Sequence, residues 1–206
     1  LRYNRVTNNS GLASYFREQI KNDLLVWCAS HERPDGKPYN LYTDGLKIYT
    51  TIDSRLQGYA ENAMQSQMKE LQKKFAKQLQ KQTLDQVVKS HVKQLPQYKR
   101  LQNNGLTEKE ILSELKKPAV RKVFNWEGGK EIEISVYDSL KHHLQFLQAG
   151  ILALEPQTGH VKAWVGGIDH EFFKFDHVKE STKRQIGSTF KPIVYAAALE
   201  RGIDPC

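Results

Sequence analysis

The sequence predicts an α+β fold in which an antiparallel β-hairpin packs on an apolar helix and a helical insertion interrupts the chain. Residues 150–154 and 160–167 are two apolar runs joined by a Pro-Gln-Thr-Gly turn, which is a hairpin pattern. Residues 190–200 are apolar almost all round, as in a buried helix. Between about residues 54 and 118, apolar positions recur every three or four residues, which indicates successive amphipathic helices.

The first element is an amphipathic helix over residues 12–29. Its apolar positions fall on one helical face, and the Pro- and Gly-containing stretch 31–40 ends it. The face consists of Leu12, Tyr15, Phe16, Ile20, Leu24, Trp27 and Cys28.

A strand followed by a long helix comes next. Residues 45–52 alternate β-branched and aromatic side chains, and Asp53 is a good N-cap for the helix that follows. We expect that helix to bury a stripe of apolar side chains: Leu56, Ala60, Ala63, Met64, Met68, Leu71, Phe75 and Leu79.

The rest of the middle region contains two short helices and a strand. The periodicity of residues 84–95 predicts a helix before Pro96. Thr107 and Glu110 form a capping-box pattern for a helix over residues 108–116. Residues 131–137 alternate as a strand whose polar face carries two glutamates, Glu131 and Glu133, which we interpret as solvent-facing and not as an acid/base pair.

Composition bounds the class of protein. The chain has 206 residues, 39% of them hydrophobic, which is enough for one core and a smaller module. It contains no apolar run long enough for a membrane span and no visible signal peptide. The two cysteines, Cys28 and Cys206, are too few for a disulfide scaffold, so cysteine usage leaves the redox compartment open.

The net charge of +8 is concentrated in one segment. Residues 69–130 hold 15 Lys and Arg against 6 Asp and Glu, a net of +9, while the remainder of the chain is close to neutral. Two interpretations stay open: a solvated helix surface, or a surface for an anionic partner. Aromatic side chains are not interleaved with the charge, which argues against a nucleic acid as that partner.

The pattern with the clearest chemistry is Ser188-x-x-Lys191 at the start of the last apolar helix. Three residues apart on a helix, the hydroxyl and the amine lie over the same face. A serine becomes a nucleophile when a neighbouring group accepts its proton, and a lysine can do so when burial or a nearby cation lowers its pKa. The plain alternative is a serine N-cap followed by a surface lysine.

Other catalytic and binding patterns are missing from the sequence. The histidines have no metal-ligand spacing, so we expect no metal. Gly166 and Gly167 belong to no nucleotide-binding pattern, and we expect no cofactor. Gly187-Ser188 is not a G-x-S-x-G elbow, which excludes an α/β-hydrolase on that motif.

In three blocks, the chain resembles the transpeptidase domain of class A (bifunctional) penicillin-binding proteins. Residues 45–63, GLKIYTTIDSRLQGYAENA, are similar to the strand-to-helix entry of that domain. Residues 149–167, AGILALEPQTGHVKAWVGG, are similar to its first hairpin. Residues 184–205, RQIGSTFKPIVYAAALERGIDP, are similar to its active-site helix, which contains the S-x-x-K motif.

This resemblance implies a serine-transpeptidase-like fold and a peptidoglycan D,D-transpeptidase. Ser188 would be the acylated nucleophile and Lys191 its base. The substrate would be an acyl-D-Ala-D-Ala stem peptide, β-lactams would inhibit, and wall-synthesis proteins are possible partners. Residues 1–44 would be a linker after a glycosyltransferase domain that this chain lacks, and residues 45–206 the first part of the transpeptidase domain. The location would be the periplasmic or extracytoplasmic face of the cell membrane, reached through an anchor outside this sequence.

The chain departs from the family pattern in two places. Asp176 stands where the family has an asparagine, which puts a substrate contact by this residue in doubt. No S-x-N or K-T-G follows Lys191, so the resemblance implies half of a site, and we expect this chain alone to be inactive. Two alternatives stay open: a non-catalytic module that recruits an acidic partner or anionic wall polymer, and a class A β-lactamase, to which the GLKIYTTID lead is foreign.

Overall fold

The computed structural model describes residues 11–79 and 81–204. Cys206 and part of the predicted linker, residues 1–10, lie outside the described residues. The elements are α1 (Ser14–Ser30), α2 (Ser54–Gln78), α3 (Lys81–Val92), α4 (Pro96–Asn103), α5 (Glu108–Leu115), β1 (Pro118–Asn125), β2 (Gly128–Ser135), α6 (Val136–Leu144), β3 (Ile151–Leu154), β4 (Val161–Val165), a 3₁₀ turn (Gly187–Phe190) and α7 (Lys191–Glu200). Helices mixed with small antiparallel sheets confirm the α+β part of the prediction.

The β3–β4 hairpin lies between two helices. Ile151 is paired with Val165, and this face packs on Met64 and Met68 of α2. Because side chains alternate along a strand, Trp164 points the other way and contacts Phe16 of α1, with ring centroids 6.1 Å apart. The hairpin predicted from the sequence is therefore confirmed; α2 covers one face and α1 covers Trp164, while Leu152 and Leu154 of β3 stay exposed.

Glutamines of α2 hold the main chain of its neighbours. The Gln57 side chain, fully buried, donates to the Trp164 carbonyl (2.9 Å) and accepts from the Trp164 amide (2.7 Å). Four turns later, Gln72 is buried and bonds the Gln145 carbonyl and the Leu147 amide, both at 2.9 Å. The predicted apolar stripe of α2 is thus only partly right, since the buried amides of Gln57 and Gln72 flank Met64 and Met68.

Residues 45–52 do not form the predicted strand. Gln57 already occupies the outer edge of β4 at Trp164, so the backbone before α2 has no room to extend the ladder there. The segment meets β4 near the start of that strand, where Thr51 Oγ1 donates to the Val161 carbonyl at 2.8 Å and the Asp53 amide donates to the Lys162 carbonyl at 3.0 Å. Asp53 does cap α2 as predicted, and the backbone N–H groups of Leu56 and Arg55 hold its pKa below the usual range.

Helices α3 to α6 share a core of their own, whereas Phe124 of β1 belongs to the core formed by α2 and the β3–β4 hairpin. The capping box of α5 is confirmed, with the Thr107 and Glu110 side chains each bonding the other residue's backbone N–H. Strand β1 was not predicted; it pairs with β2 over its full length and leaves Glu131 and Glu133 exposed on one face, as expected. The buried core residues are Val92, Tyr98, Ile111 and Leu115.

The prediction that α7 is a buried helix packed on the hairpin is wrong for the described part of the chain. Its side chains are exposed all round, with Ile193 at 59% and Tyr195 at 64%. The physical reason is that α1 and α2 already flank the hairpin, and residues 166–186 form a coil that separates β4 from the helix. Across the described ranges, no helix combines the length and apolar character that a membrane span requires.

Candidate active site

Ser188 and Lys191 lie on one tight turn. The 3₁₀ turn begins at Gly187 and runs into α7, whose first residue, Lys191, donates its amide to the Ser188 carbonyl. In a 3₁₀ turn, residues three apart eclipse one another, so the hydroxyl and the amine leave the backbone on the same side. Both residues are exposed. The backbone of the turn therefore starts both side chains on the same side, and a backbone hydrogen bond joins the two residues.

Gly187 makes this turn possible. Its φ is +53°, the left-handed region that glycine adopts without a Cβ penalty. The carbonyl of Ile186, the residue before Gly187, accepts a hydrogen bond from the Thr189 hydroxyl at 2.5 Å. This bond ties the turn to the end of the preceding coil. The first amides of a helical turn have no partner within that turn, and Ser188 is one of its first residues.

Asp176 does not face open solvent with its carboxylate. Its Oδ2 accepts from the indole N–H of Trp164 at 2.9 Å. Its Oδ1 accepts from the amides of Val178 (2.8 Å) and Lys179 (3.2 Å). These three donors occupy the carboxylate, which agrees with the doubt about a substrate contact.

The coil before Ser188 is also tied to itself. Arg184 Nη2 lies 3.1 Å from His177 Nδ1, and the guanidinium lies 5.9 Å from the centre of the Phe175 ring. Partial burial, with the charge of Arg184, lowers the pKa of His177. A neutral His177 leaves Nδ1 free to accept from Arg184. The contact ends four residues before Ser188.

The basic segment is partly neutralised on the surface. Lys69 pairs with Glu127 and Lys93 with Glu108, both at 2.9 Å. Exposed pairs such as these contribute little to stability. These exposed pairs fit the solvated-surface interpretation at Lys69 and Lys93 and leave the second interpretation open.

In a cleft between α3 and α5, lysine side chains surround apolar residues. The cleft has a volume of about 600 Å³. The ammonium group of Lys116 lies 5.5 Å from the centre of the Tyr137 ring. The residues that line it are Gln86, Lys89, Ser90, Val92, Lys93, Glu108, Leu112, Lys116 and Tyr137.

Two kinds of comparison find similar proteins. A family model matches the middle of the chain, and individual proteins match nearly its whole length. Residues 70–147 match the model of the penicillin-binding protein middle domain. "Penicillin-binding protein 1A" of Rickettsia prowazekii (strain Madrid E) is 27% identical over 227 residues, covering 98% of this chain and 28% of the relative. The protein of the same name from Neisseria cinerea is 28% identical over 204 residues, which cover 79% of this chain and 24% of that relative.

A shorter match has higher identity. "Penicillin-binding protein 2D" of Bacillus subtilis (strain 168) is 42% identical over 59 residues, 29% of this chain and 8% of the relative. No solved structure matches. The chain therefore spans only about a quarter of the length of the first two relatives named here: 28% of the Rickettsia prowazekii protein and 24% of the Neisseria cinerea protein.

Proposed function

We propose that this chain, whose similarity to penicillin-binding proteins 1A supports membership of the class A penicillin-binding protein family, supplies the first part of a peptidoglycan D,D-transpeptidase domain with the serine-transpeptidase fold. In this proposal, residues 1–44 are a linker and residues 45–206 belong to the transpeptidase domain, with a helical insertion at about 54–118. The observation that carries the proposal is the turn at the head of α7, which sets Ser188 and Lys191 on the same side.

In the proposed reaction, Ser188 Oγ attacks the carbonyl carbon of the penultimate D-Ala of a stem peptide. Lys191 accepts the hydroxyl proton as the new C–O bond forms. The C–N bond to the terminal D-Ala then breaks, and the proton passes to the leaving amine. The amine of a neighbouring stem peptide then attacks the acyl-enzyme carbonyl carbon. As the new C–N bond forms, the ester C–O bond to Ser188 breaks and a proton from the amine returns to Ser188 Oγ. The steps use no metal or organic cofactor.

The same proposal covers inhibitors and location. A β-lactam carbonyl would acylate Ser188 in place of the peptide, and the ring nitrogen would be the leaving group that stays attached. The reaction belongs on the periplasmic or extracytoplasmic face of the bacterial cell membrane, where the uncross-linked peptides are, and wall-synthesis proteins are the partners we expect there.

Labelling by a fluorescent penicillin tests the proposal in the complete protein that carries this sequence. Ser188→Ala removes the attacking atom and Lys191→Ala its proton acceptor, so each should abolish labelling. Ser181→Ala and Lys183→Ala are matched controls, because both side chains are exposed on the coil before the turn. Full labelling of Ser188→Ala, or equal loss in a control, contradicts the assignment.

A second candidate function rests on the cleft between α3 and α5. We propose that it binds an acidic protein segment that places an apolar side chain against Leu112 and Tyr137 and carboxylates near Lys89 and Lys116. This is the non-catalytic recruiting role that the basic charge suggested. An anionic wall polymer is the competing occupant.

Charge reversal separates the two occupants of the cleft. A Glu/Tyr copolymer is the probe, and Lys89→Glu with Lys116→Glu should weaken its binding at least tenfold more than Lys99→Glu with Lys109→Glu. The two pairs change the net charge equally, and all four lysines are exposed. Equal weakening by both pairs means nonspecific charge attraction. Binding of teichoic acid but not of the copolymer supports the polymer instead.

A further inference from the structure

The coil between β4 and the serine turn is braced against the open end of the hairpin. The amide of His177 donates to the Gly166 carbonyl at 2.8 Å, just beyond β4. A Cβ at position 150 would lie 2.8 Å from Val178, and one at position 166 would collide with the Asp176 carboxylate. At the open end of the hairpin, a glycine beside each strand therefore lets residues 176–178 approach the hairpin backbone closely.

Asp176 is the centre of this brace. Its carboxylate joins β4, through Trp164, to the next turn of the coil, through the amides of Val178 and Lys179. Its backbone carbonyl accepts from the Thr182 hydroxyl at 2.6 Å. One residue thus fixes the coil from residue 176 to residue 182 relative to the hairpin.

The donors demand a carboxylate at this position. Two backbone amides converge on Oδ1 and an indole N–H on Oδ2, and an ionised carboxylate accepts at both oxygens. An asparagine could serve the two amides with its oxygen, but its NH₂ would then face the indole N–H of Trp164, donor against donor. The indole cannot turn away freely, because Gln57 holds the Trp164 backbone and Phe16 contacts its ring.

We propose that Asp176 is a positioning residue for acylation of Ser188, and that its carboxylate is matched to Trp164. The inference rests on the proposed function. Asp176 acts at a distance: it fixes residues 176–182, the Arg184–His177 contact continues the brace, and Gly187 then starts the turn that presents Ser188.

The test measures acylation by a penicillin in the complete protein, per folded molecule, as the maximal rate constant and the concentration for half-maximal rate. Asp176→Asn should lower the maximal rate constant about ten- to hundredfold and leave the half-maximal concentration within about threefold. Glu180→Gln is the matched control, the same chemical change at an exposed position of the same coil, and should leave both values unchanged.

Rescue separates positioning from a general loss of structure. Trp164→Phe removes the opposing donor, so adding it to Asp176→Asn should restore most of the lost rate. If Asp176→Asn does not fold, Thr182→Val breaks the same brace at its other end and should also slow acylation.

The outcomes distinguish the two proposals. A wild-type protein that is not acylated at Ser188 overturns the proposed function and this inference with it. A wild-type protein that is acylated, with an unchanged maximal rate constant in Asp176→Asn or Thr182→Val, overturns this inference alone. Failure of Trp164→Phe to restore the rate contradicts the match between the carboxylate and the indole.

Discussion

Replacing Gln57 should loosen the outer edge of β4. The side chain is fully buried and makes three hydrogen bonds: two with the Trp164 backbone (2.7 and 2.9 Å) and one to Glu61 at 2.8 Å. Gln57→Met keeps the volume and removes all three, leaving the Trp164 N–H and C=O unpaired at a buried edge. Each of these two groups costs about 1–3 kcal/mol, so we expect a loss of about 2–6 kcal/mol.

Hydrogen exchange at the Trp164 amide measures this loss locally. A decrease of about 2–6 kcal/mol in opening free energy corresponds to about 30- to 20,000-fold faster exchange where opening is at equilibrium. Gln67→Met is the control, because Gln67 is exposed on the same helix. If Gln57→Met exchanges no faster than Gln67→Met, the glutamine does not hold β4 and this reasoning is refuted.

Two further predictions concern the serine turn and pH. Gly187→Ala places a Cβ on a residue at φ +53°, so it should destabilise the turn by about 1–2 kcal/mol and slow penicillin labelling, and an unchanged labelling rate would refute the required backbone conformation. Burial lowers the pKa of His143, His170 and His177. Because the unfolded chain then binds more protons, stability should be complete above about pH 6.5 and fall as the pH drops towards the lowered values. Thermal melts from pH 7.5 to 5.5 check this, and replacing the three histidines by glutamine should flatten the profile; an equally steep profile without them would contradict it.

Local signals were sufficient for the ends of several elements. Asp53 caps α2, and Thr107 with Glu110 caps α5, because a cap depends on residues a few positions apart. The hairpin around the Pro-Gln-Thr-Gly turn was also readable, since its two arms lie close in the sequence. The S-x-x-K spacing belongs to the same class of local information.

Long-range pairings could not be predicted. Gln57 and Gln72 look like solvent-facing residues of a Gln- and Lys-rich helix, and nothing nearby in the sequence shows that they hold backbone more than 70 residues away. The same bond from Gln57 excludes residues 45–52 from the sheet. The hydrogen bond from the Trp164 indole to Asp176 is likewise visible only in the folded structure.

The prediction that α7 is buried is wrong for a related reason. Apolar side chains on all sides predict a helix with neighbours on all sides, but periodicity does not say which segment supplies them. Among the described residues, α2 packs on one face of the hairpin and α1 contacts Trp164, Leu152 and Leu154 stay exposed, and α7 extends from the 3₁₀ turn. Composition alone could not distinguish these arrangements.

The site of penicillin attachment tests the central claim most directly. The complete protein would be treated with benzylpenicillin, digested, and mapped by tandem mass spectrometry for the serine that carries the penicilloyl group. We predict one penicilloyl group per molecule, on Ser188, and none on Ser181, which lies exposed on the preceding coil. A penicilloyl group on a different serine, or a folded protein that takes up none, would contradict the account.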